Sequence, residues 1–220
     1  MQVRISDLYD LEHTIAADYL RQFEYPWKAL AGIKDYILQL GPSLPKDEFD
    51  EIAENVWVAK DANVFPSAYL GAPLIVDHGA EIRHCAFVRG SGIIGKNAVV
   101  GNSTELKNSI LMDKVQCPHY NYVGDSILGY CSHTGAGVIT SNLKSDKSLV
   151  VVKDGSEAIE TGIKKFGAML GDHVEVGCNS VLNPGTVVGC NTNIYPLSRV
   201  RGVVPANSIF KDANNIVPKH

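Results

Sequence analysis

Aliphatic residues return at every sixth position in the first half of the chain. Ten successive positions keep this spacing without a break: Ile52, Val58, Val64, Leu70, Val76, Ile82, Val88, Ile94, Val100 and Leu106. A small residue such as Ala62, Ala68 or Ala80 follows most of these anchors four places later. A period of six fits neither the turn of an α-helix nor the alternation of a strand, and it is typical of a β-helix.

Each hexad can supply one short strand and one corner, so three hexads would close a triangular coil. Coils would stack about 4.8 Å apart, which makes residues eighteen positions apart vertical neighbours. The period resumes from Leu170 to Val200, so we predict one solenoid of roughly ten coils. Glycines directly follow several anchors, where we expect turns with positive φ: Gly95, Gly101, Gly129, Gly135, Gly171, Gly177 and Gly189.

The period is interrupted twice, and repeat proteins tend to break their pattern where another property is needed. Between Met112 and Leu128 the spacing falls two residues short of clean repeats, around the segment Cys117-Pro118-His119-Tyr120-Asn121-Tyr122. A longer interruption covers residues 141–167 and includes a β-type run up to Asp154-Gly155, which predicts a hairpin. We expect this second segment to be an inserted loop that leaves the stack.

Residues 1–51 lack the period and predict helices instead. Apolar residues recur at helical spacing from Asp7 to about Phe23, and a second helix can begin at Pro26 and stop at Gly41-Pro42. We interpret this segment as a cap over the open end of the stack, in preference to a partner-binding arm. The β-helix domain then spans residues 52–206, and residues 207–220 form a loosely held tail.

The composition narrows the class of protein. The 220 residues have a net charge of −4 and five cysteines without a CxxC pair, which argues against a nucleic-acid partner and predicts reduced thiols. The first residues contain no apolar core of a signal peptide, and no apolar run is long enough to predict a membrane span. We therefore expect a soluble cytoplasmic protein without a membrane partner.

Arg89 and Lys107 each directly follow an anchor and are eighteen positions apart, so they should stack on one outer face. Two such cations repel by about 1 kcal/mol unless an anion lies between them, and phosphate is the common anion for an arginine–lysine pair. A solvated pair shielded by Glu105 is the alternative. His119, in the first interruption, could accept a proton from an attacking amine or hydroxyl; a structural, hydrogen-bonded histidine is the alternative.

Two other kinds of chemistry are open. Cys117, two residues before His119, could be an acyl-accepting nucleophile. Imidazole is the commonest zinc ligand in proteins, but the spacing of the other histidines does not place three on one vertical line: His78, His84, His133 and His173. A metal-dependent hydrase is therefore the weaker alternative, and we predict no metal site.

The segment STELKNSILMDKVQCPHYNYVGDSILG, followed by GAGVITSN, resembles a known family. It is similar to the acetyltransferase domain of bifunctional UDP-N-acetylglucosamine pyrophosphorylase/glucosamine-1-phosphate acetyltransferases, and more so to archaeal sugar-phosphate nucleotidylyltransferase/acetyltransferases. The match covers roughly residues 55–210 and is densest over 101–147. The resemblance implies a left-handed parallel β-helix that works as a homotrimer, an exception to right-handed crossovers, with acetyl-CoA bound between subunits.

The resemblance also implies roles for single residues. His119 matches the base that deprotonates the amino group of a sugar 1-phosphate, and Arg89 and Lys107 match the pair that grips its phosphate. The remaining matches concern the sugar, the coenzyme or both: Tyr122 positions the sugar, Asn142 lies near the sugar and the thioester, the Ala136 backbone faces the acetyl group, and Lys147 matches a lysine of the archaeal relatives.

Three positions depart from the family pattern. His133 replaces an asparagine at the sugar, Leu143 replaces a tyrosine, and Cys178 replaces a serine at the coenzyme. We predict an acetyl-CoA-dependent N-acetyltransferase of an amino-sugar 1-phosphate resembling glucosamine 1-phosphate. The first fifty residues hold no glycine-rich nucleotide loop, so nucleotidylyltransferase activity is not expected. A non-catalytic β-helix scaffold or ligand-binding module, favoured by Leu143 and Cys178, is the alternative.

Overall fold

A computed structural model describes residues 1–219, in which short strands coil into a parallel β-helix. The strands follow one another along the chain in this order: β1 Phe49–Ala53, β2 Val56–Ala59, β3 Asn63–Val64, β4 Tyr69–Leu70, β5 Leu74–Val76, β6 Glu81–Ile82, β7 Phe87–Val88, β8 Gly92–Ile94, β9 Val99–Asn102, β10 Glu105–Leu111, β11 Gln116–His119, β12 Tyr122–Leu128, β13 His133–Thr134, β14 Ile139–Thr140, β15 Val151–Asp154, β16 Glu157–Glu160, β17 Ala168–Leu170, β18 Glu175–Val176, β19 Val181–Leu182, β20 Thr186–Val188, β21 Asn193–Ile194, β22 Arg199–Val200, β23 Val203–Val204, β24 Ser208–Asp212 and β25 Asn215–Pro218.

Equivalent strands of successive coils pair in parallel and build three faces of a prism. Face A contains β2, β5, β8, the ends of β10 and β12, β17, β20 and β23, whereas face B contains β3, β6, β9, β11, β13, β18, β21 and β24. Face C contains β4, β7, the starts of β10 and β12, β14, β19 and β22. We call the turn from face C to face A the C–A corner, and the turn from face B to face C the B–C corner. The β-helix prediction is confirmed, with seven full coils and a partial eighth rather than roughly ten.

The anchors point inwards, and the predicted vertical alignment is present. Val76 pairs with Ile94, and Val88 pairs with Leu106, each eighteen positions apart. From the pairing of Ile94 with Leu111 to that of Val123 with Thr140 the offset is seventeen, and just after the insertion it is again eighteen, as between Met169 and Val187. The two residues missing from the predicted repeats are therefore lost at two tight corners, where the spacing between anchors drops from six to five residues.

Both tight corners lie at the C–A corner. They fall within the continuous strands β10 and β12, at Asn108 and Asp125, which each adopt φ of 48°. Asparagine and aspartate tolerate this left-handed backbone better than most residues. The shortened steps place the side chains of Asn108 and Asp125 one above the other, so the sequence irregularity shapes the edge on which the candidate site lies.

The prediction of positive φ at glycines that follow an anchor is wrong. Positive φ occurs two residues later, for instance at Asn97 and Ser103, which follow Gly95 and Gly101. The glycines are needed instead for close approach of neighbouring coils, since a Cβ on Gly101 would overlap the Pro118 carbonyl. Packing distance, rather than backbone angle, explains this class of glycines.

Both ends of the stack are closed by antiparallel strands. At the start β1 pairs with β2, and Ile52 is 56% exposed, so the first predicted anchor lies outside the coils. At the other end β24 and β25 form a hairpin, which contradicts the expectation of a loose tail from Asn207. The hairpin covers the last open edge; His220 lies outside the described residues.

The N-terminal segment contains short helical pieces rather than two long helices. α-Helices span Ile5–Leu8, Ala17–Leu20 and Ile33–Leu40, and 3-10 helices span Leu11–His13, Pro26–Gly32 and Gly41–Ser43. The first predicted helix breaks because its polar groups bond to the β-helix: the Tyr9 hydroxyl donates to the Ile127 carbonyl at 3.2 Å, and the Asp172 amide donates to the Leu8 carbonyl at 2.9 Å. Tertiary contacts here outweigh helix propensity.

This segment covers face A along its length instead of capping an end. The outward residues of face A are apolar and buried: Trp57, Ile75, Ile93, Ile110, Ile127, Met169 and Val187. Gly41 packs against the Trp57 ring in the first coil, while Leu8 reaches Cys190 in a late coil. A strand that is apolar on both sides must be covered on both sides, which explains why the segment lies on this face.

The insertion at residues 141–167 forms the predicted hairpin. Strands β15 and β16 pair in antiparallel register, with Asp154 opposite Glu157 across Gly155. Phe166, at the end of the insertion, is buried and stacks on Trp27 with ring centroids 5.6 Å apart.

All five cysteines are free. Within residues 1–219, every helix is too short or too polar to cross a bilayer.

Candidate active site

Arg89 and Lys107 stand next to each other on the C–A corner, as their spacing predicts. The Arg89 amide donates to the Leu106 carbonyl at 2.8 Å, and Val88 pairs directly with Leu106. The two cations therefore leave rigid strands of neighbouring coils, one above the other on the same edge. The stacking argument correctly placed these two side chains.

A pocket of about 390 Å³ opens at this corner. Its walls come from the β-helix and from the N-terminal segment: Leu30, Ala31, Lys34, Arg89, Gly90, Ser91, Lys107 and Asn108. Gly90 has φ of +107°, and a Cβ there would overlap the Ala72 carbonyl, so only glycine fits. The lining contains three cationic side chains and no carboxylate, which suits an anion.

Carboxylates lie behind the two predicted cations. Arg89 Nη1 donates to Glu105 Oε1 at 2.8 Å, and Lys107 Nζ donates to Asp125 Oδ2 at 3.0 Å. The hydrogen bond with Glu105 raises the pKa of Arg89, which stays charged. Each cation pairs with its own acid, which compensates the repulsion between the two cations. The spacing argument had assumed that this repulsion was uncompensated. The shielding role of Glu105 that we considered is present, on Arg89 alone.

Asp125 joins two more predicted residues to the cluster. Its carboxylate, only 5% exposed, accepts hydrogen bonds from Asn108 Nδ2 at 2.8 Å and from Asn142 Nδ2 at 2.5 Å. Asn142 Nδ2 also donates to the Tyr122 hydroxyl at 3.2 Å. Burial raises the pKa of Tyr122, with smaller contributions from Glu105 and Asp125, so its hydroxyl stays protonated. Arg89, Lys107, Tyr122 and Asn142 thus form one cluster.

Sequence reasoning missed Asp125 and the third cation of this cluster. A signal for Asp125 existed, because it occupies the second five-residue step between anchors. Lys34 had no such signal, since its position depends on how the N-terminal segment folds over face A.

His119, Ala136 and Cys178 form a second group, on the B–C corner. They occupy equivalent positions in three successive coils, as the pairing of Gln116 with His133 and of His133 with Glu175 requires. His119 and Cys178 are exposed. The amides of Gly135 and Gly137 donate to backbone carbonyls, whereas across the described residues the Ala136 amide donates to none. A free N–H group is available here for a developing oxyanion.

The two groups lie at opposite edges of face C. The chain runs from His119 through Tyr122 to the C–A corner at Asp125. Throughout residues 1–219, the His119 ring has no hydrogen-bond partner. The outward side chains of face C between the edges include apolar ones, since Tyr69, Phe87 and Ile139 are 59%, 42% and 40% exposed. Within one chain the candidate base is not among the residues that line the anion pocket.

Two predicted residues join neither group. His133 Nδ1 lies 2.8 Å from Glu175 Oε2 on face B, away from the cluster that contains Asn142. Lys147 is exposed in the insertion, where its amide donates to the Lys144 carbonyl at 3.0 Å. Their roles in substrate binding stay predictions.

The alternative chemistries gain no support from the geometry. Cys117 is an inward-pointing anchor with no exposed surface, and burial raises its pKa to about 12. The hypothesis that Cys117 is a thiolate nucleophile is therefore wrong. The histidines are apart: His78 pairs with Asp61 and Glu48, and His84 lies 2.9 Å from Ser67 Oγ. Over residues 1–219 no group of three or more histidine, cysteine or acidic residues could hold a metal ion.

Comparison with known proteins adds a family and several relatives. The family model described as GMPPB C-terminal domain matches residues 70–195. A Methanococcus vannielii protein named Bifunctional protein GlmU is 31% identical over 194 residues, 87% of this chain and 46% of the relative. The Sulfurisphaera tokodaii Bifunctional sugar-1-phosphate nucleotidylyltransferase/acetyltransferase is 32% identical over 161 residues, 73% of this chain and 40% of the relative.

The chain spans less than half the length of both relatives. Among solved structures, the polySia specific acetyltransferase NeuO superposes with a TM-score of 0.51 at 16% identity, covering 72% of this chain and 80% of that one. This likeness concerns the fold, and it agrees with the stacked parallel coils.

Proposed function

We propose that this chain, which belongs to the family of the GMPPB C-terminal domain, is an acetyl-CoA-dependent N-acetyltransferase of amino-sugar 1-phosphates. The observation that carries the proposal is the cationic pocket beside Tyr122 and Asn142, which combines a phosphate site with neutral hydrogen-bonding groups suited to a sugar. The name of the Sulfurisphaera tokodaii relative, a sugar-1-phosphate nucleotidylyltransferase/acetyltransferase, favours the same class of reaction.

In the proposed reaction the sugar phosphate binds to Arg89 and Lys107, and the amino group attacks the thioester carbon of acetyl-CoA. His119 accepts the proton that the amine loses as the N–C bond forms. The oxyanion receives a hydrogen bond from the Ala136 amide, and the C–S bond then breaks to release the coenzyme thiolate, which takes the proton from the imidazolium. Cys178, stacked beside Ala136, lies where the coenzyme would bind.

The proposal includes assembly into a homotrimer with sites between subunits. In one chain the His119 edge and the anion pocket lie on opposite sides of face C, so a second copy packed against this apolar face would bring the two edges together. Each site would then take its base from one subunit and its phosphate-binding cations from the next.

The test is release of free thiol from acetyl-CoA with glucosamine 1-phosphate as acceptor. We expect His119→Ala to lower kcat by about 10² to 10⁴ while the oligomer persists. His84→Ala is the matched control, because His84 is an exposed histidine on the same B–C corner, two coils earlier. Equal turnover of His119→Ala and wild type would remove His119 from the role, and absence of thiol release from wild type with every amino-sugar phosphate would favour the scaffold alternative.

A further inference from the structure

One wall of the anion pocket belongs to the N-terminal segment, which has no part in the proposed chemistry so far. Leu30 and Ala31 come from the 3-10 helix Pro26–Gly32, and Lys34 comes from the α-helix Ile33–Leu40. The Leu30 carbonyl accepts a hydrogen bond from Asn108 Nδ2 at 3.2 Å, which ties this wall to the tight corner. The wall is therefore held at the pocket by a defined contact.

The charges of the three lining cations differ in how they are compensated. Arg89 and Lys107 have carboxylate partners that lie outside the lining. Lys34 is exposed and, in the described part of the chain, makes neither a hydrogen bond nor an ion pair with its side chain. An ammonium group with free donors that faces two other cations is placed to bind a multiply charged anion.

We infer that Lys34 is a third phosphate-binding residue, which the N-terminal segment contributes to the acceptor site. This inference rests on the proposed function for the identity of the ligand, a sugar 1-phosphate whose phosphate group carries up to two negative charges. Arg89 and Lys107 are largely neutralised by Glu105 and Asp125, so Lys34 supplies the net positive charge that attracts the dianion. Leu30 and Ala31 form the apolar part of the pocket wall.

The experiment compares Lys34→Ala, Lys34→Arg and wild type in direct binding and in turnover. Calorimetry measures the Kd for glucosamine 1-phosphate and for inorganic phosphate at low salt, and thiol release measures KM for each substrate. We expect Lys34→Ala to raise the acceptor Kd and KM about three- to tenfold, with KM for acetyl-CoA unchanged and the difference smaller at high salt. Lys34→Arg should stay close to wild type because it keeps the charge.

Lys211→Ala is the matched control, since Lys211 is an exposed lysine in β24 at the far end of the stack. An unchanged acceptor Kd in Lys34→Ala, an equal change in Lys211→Ala, or failure of wild type to bind both phosphate compounds would overturn the inference. Phosphate binding that depends on Lys34 without acetyl transfer would uphold the cation site and count against the proposed activity instead.

Discussion

Lys107 and Arg89 stack on one corner, yet their ion pairs differ in burial. Lys107 is 24% exposed and its partner Asp125 5%, whereas Arg89 and Glu105 are 47% and 31% exposed. An exposed pair contributes little to stability, because water and salt screen it. Removing one member of a buried pair leaves a charge without compensation, which is costly. Two residues with the same proposed role should therefore affect folding differently.

We expect Lys107→Ala to lower the free energy of unfolding by about 2 kcal/mol, since Asn108 and Asn142 still donate to the orphaned Asp125 carboxylate and soften the loss. Arg89→Ala should cost less than about 1 kcal/mol. Both variants should raise KM for the acceptor and leave KM for acetyl-CoA unchanged. Urea unfolding and initial rates measure the two effects.

Arg83→Ala is the control for an exposed pair, because Arg83 bonds Glu81 on face B with similar exposure of both side chains. A stability loss in Arg89→Ala as large as that in Lys107→Ala would contradict the difference in burial. A KM effect confined to acetyl-CoA in either variant would contradict the assignment of this corner to the acceptor phosphate.

At the residue level, spacing alone could predict which side chains stack. The period placed Arg89 beside Lys107 because side-chain position in a β-helix follows from the repeat. It suggested Glu105 only as a general shield of the pair and could not place Asp125 beside Lys107, since the rotamers that form ion pairs depend on local burial. Nor could it find Lys34, which is more than fifty positions away from Arg89 in sequence and meets it only through tertiary packing.

Among the elements, the N-terminal segment departed furthest from its prediction. Helical periodicity was present, but several backbone and side-chain groups bond to face A instead of continuing the helices. A signal for this position was available in the strands of face A, which contain apolar triplets such as Leu74–Val76. Such strands are buried on both sides, and residues 1–48 are what covers them.

Asp172 anchors this segment to the β-helix. Its carboxylate accepts hydrogen bonds from the amides of Asp10 and Tyr130, both at 2.7 Å. Burial raises the pKa of Asp172, so the cost of desolvating its charge offsets part of what the two bonds contribute. We expect Asp172→Ala to lower the free energy of unfolding by about 2 kcal/mol, since it leaves two amides without acceptors.

Hydrogen exchange distinguishes this anchoring from a general loss of stability. The amides of Asp10 and Tyr130 should lose protection in Asp172→Ala, while amides in the hairpin β24–β25 keep theirs. Asp47→Ala, which removes an exposed acid of the same segment, serves as the control and should change neither quantity. Unaltered protection at Asp10 in Asp172→Ala would show that other contacts hold the segment.

For the whole molecule, the six-residue period predicted the architecture because each hexad buries one anchor in a continuous core, a constraint that applies to every coil. Family and fold are confirmed. The period contains no information on how copies of the chain meet. The outward residues of face C include both apolar Phe87 and charged Arg199, so the repeat alone does not identify this face as an interface. Only the folded surface shows which apolar residues lie next to one another.

The arrangement of the two edges of face C predicts the result of a complementation experiment. If each site takes its base from one subunit and its cations from a neighbour, a mixed oligomer of His119→Ala and Arg89→Ala chains contains some sites with both wild-type residues. Random mixing makes these about a quarter of all sites. If both residues act within one chain, no site is intact, because every chain lacks one of them.

We therefore expect co-expressed His119→Ala and Arg89→Ala chains, isolated as mixed trimers through two affinity tags, to recover about a third of wild-type turnover per site, because the selection removes unmixed trimers and each mixed trimer has one intact site of three. Mixing His119→Ala with the double variant supplies no wild-type His119, so this control should stay inactive. Mixed oligomers that form but stay as inactive as either parent would place base and anion pocket in the same chain. That result would require a rearrangement within one subunit, because His119 lies on the B–C corner and does not line the anion pocket at the C–A corner.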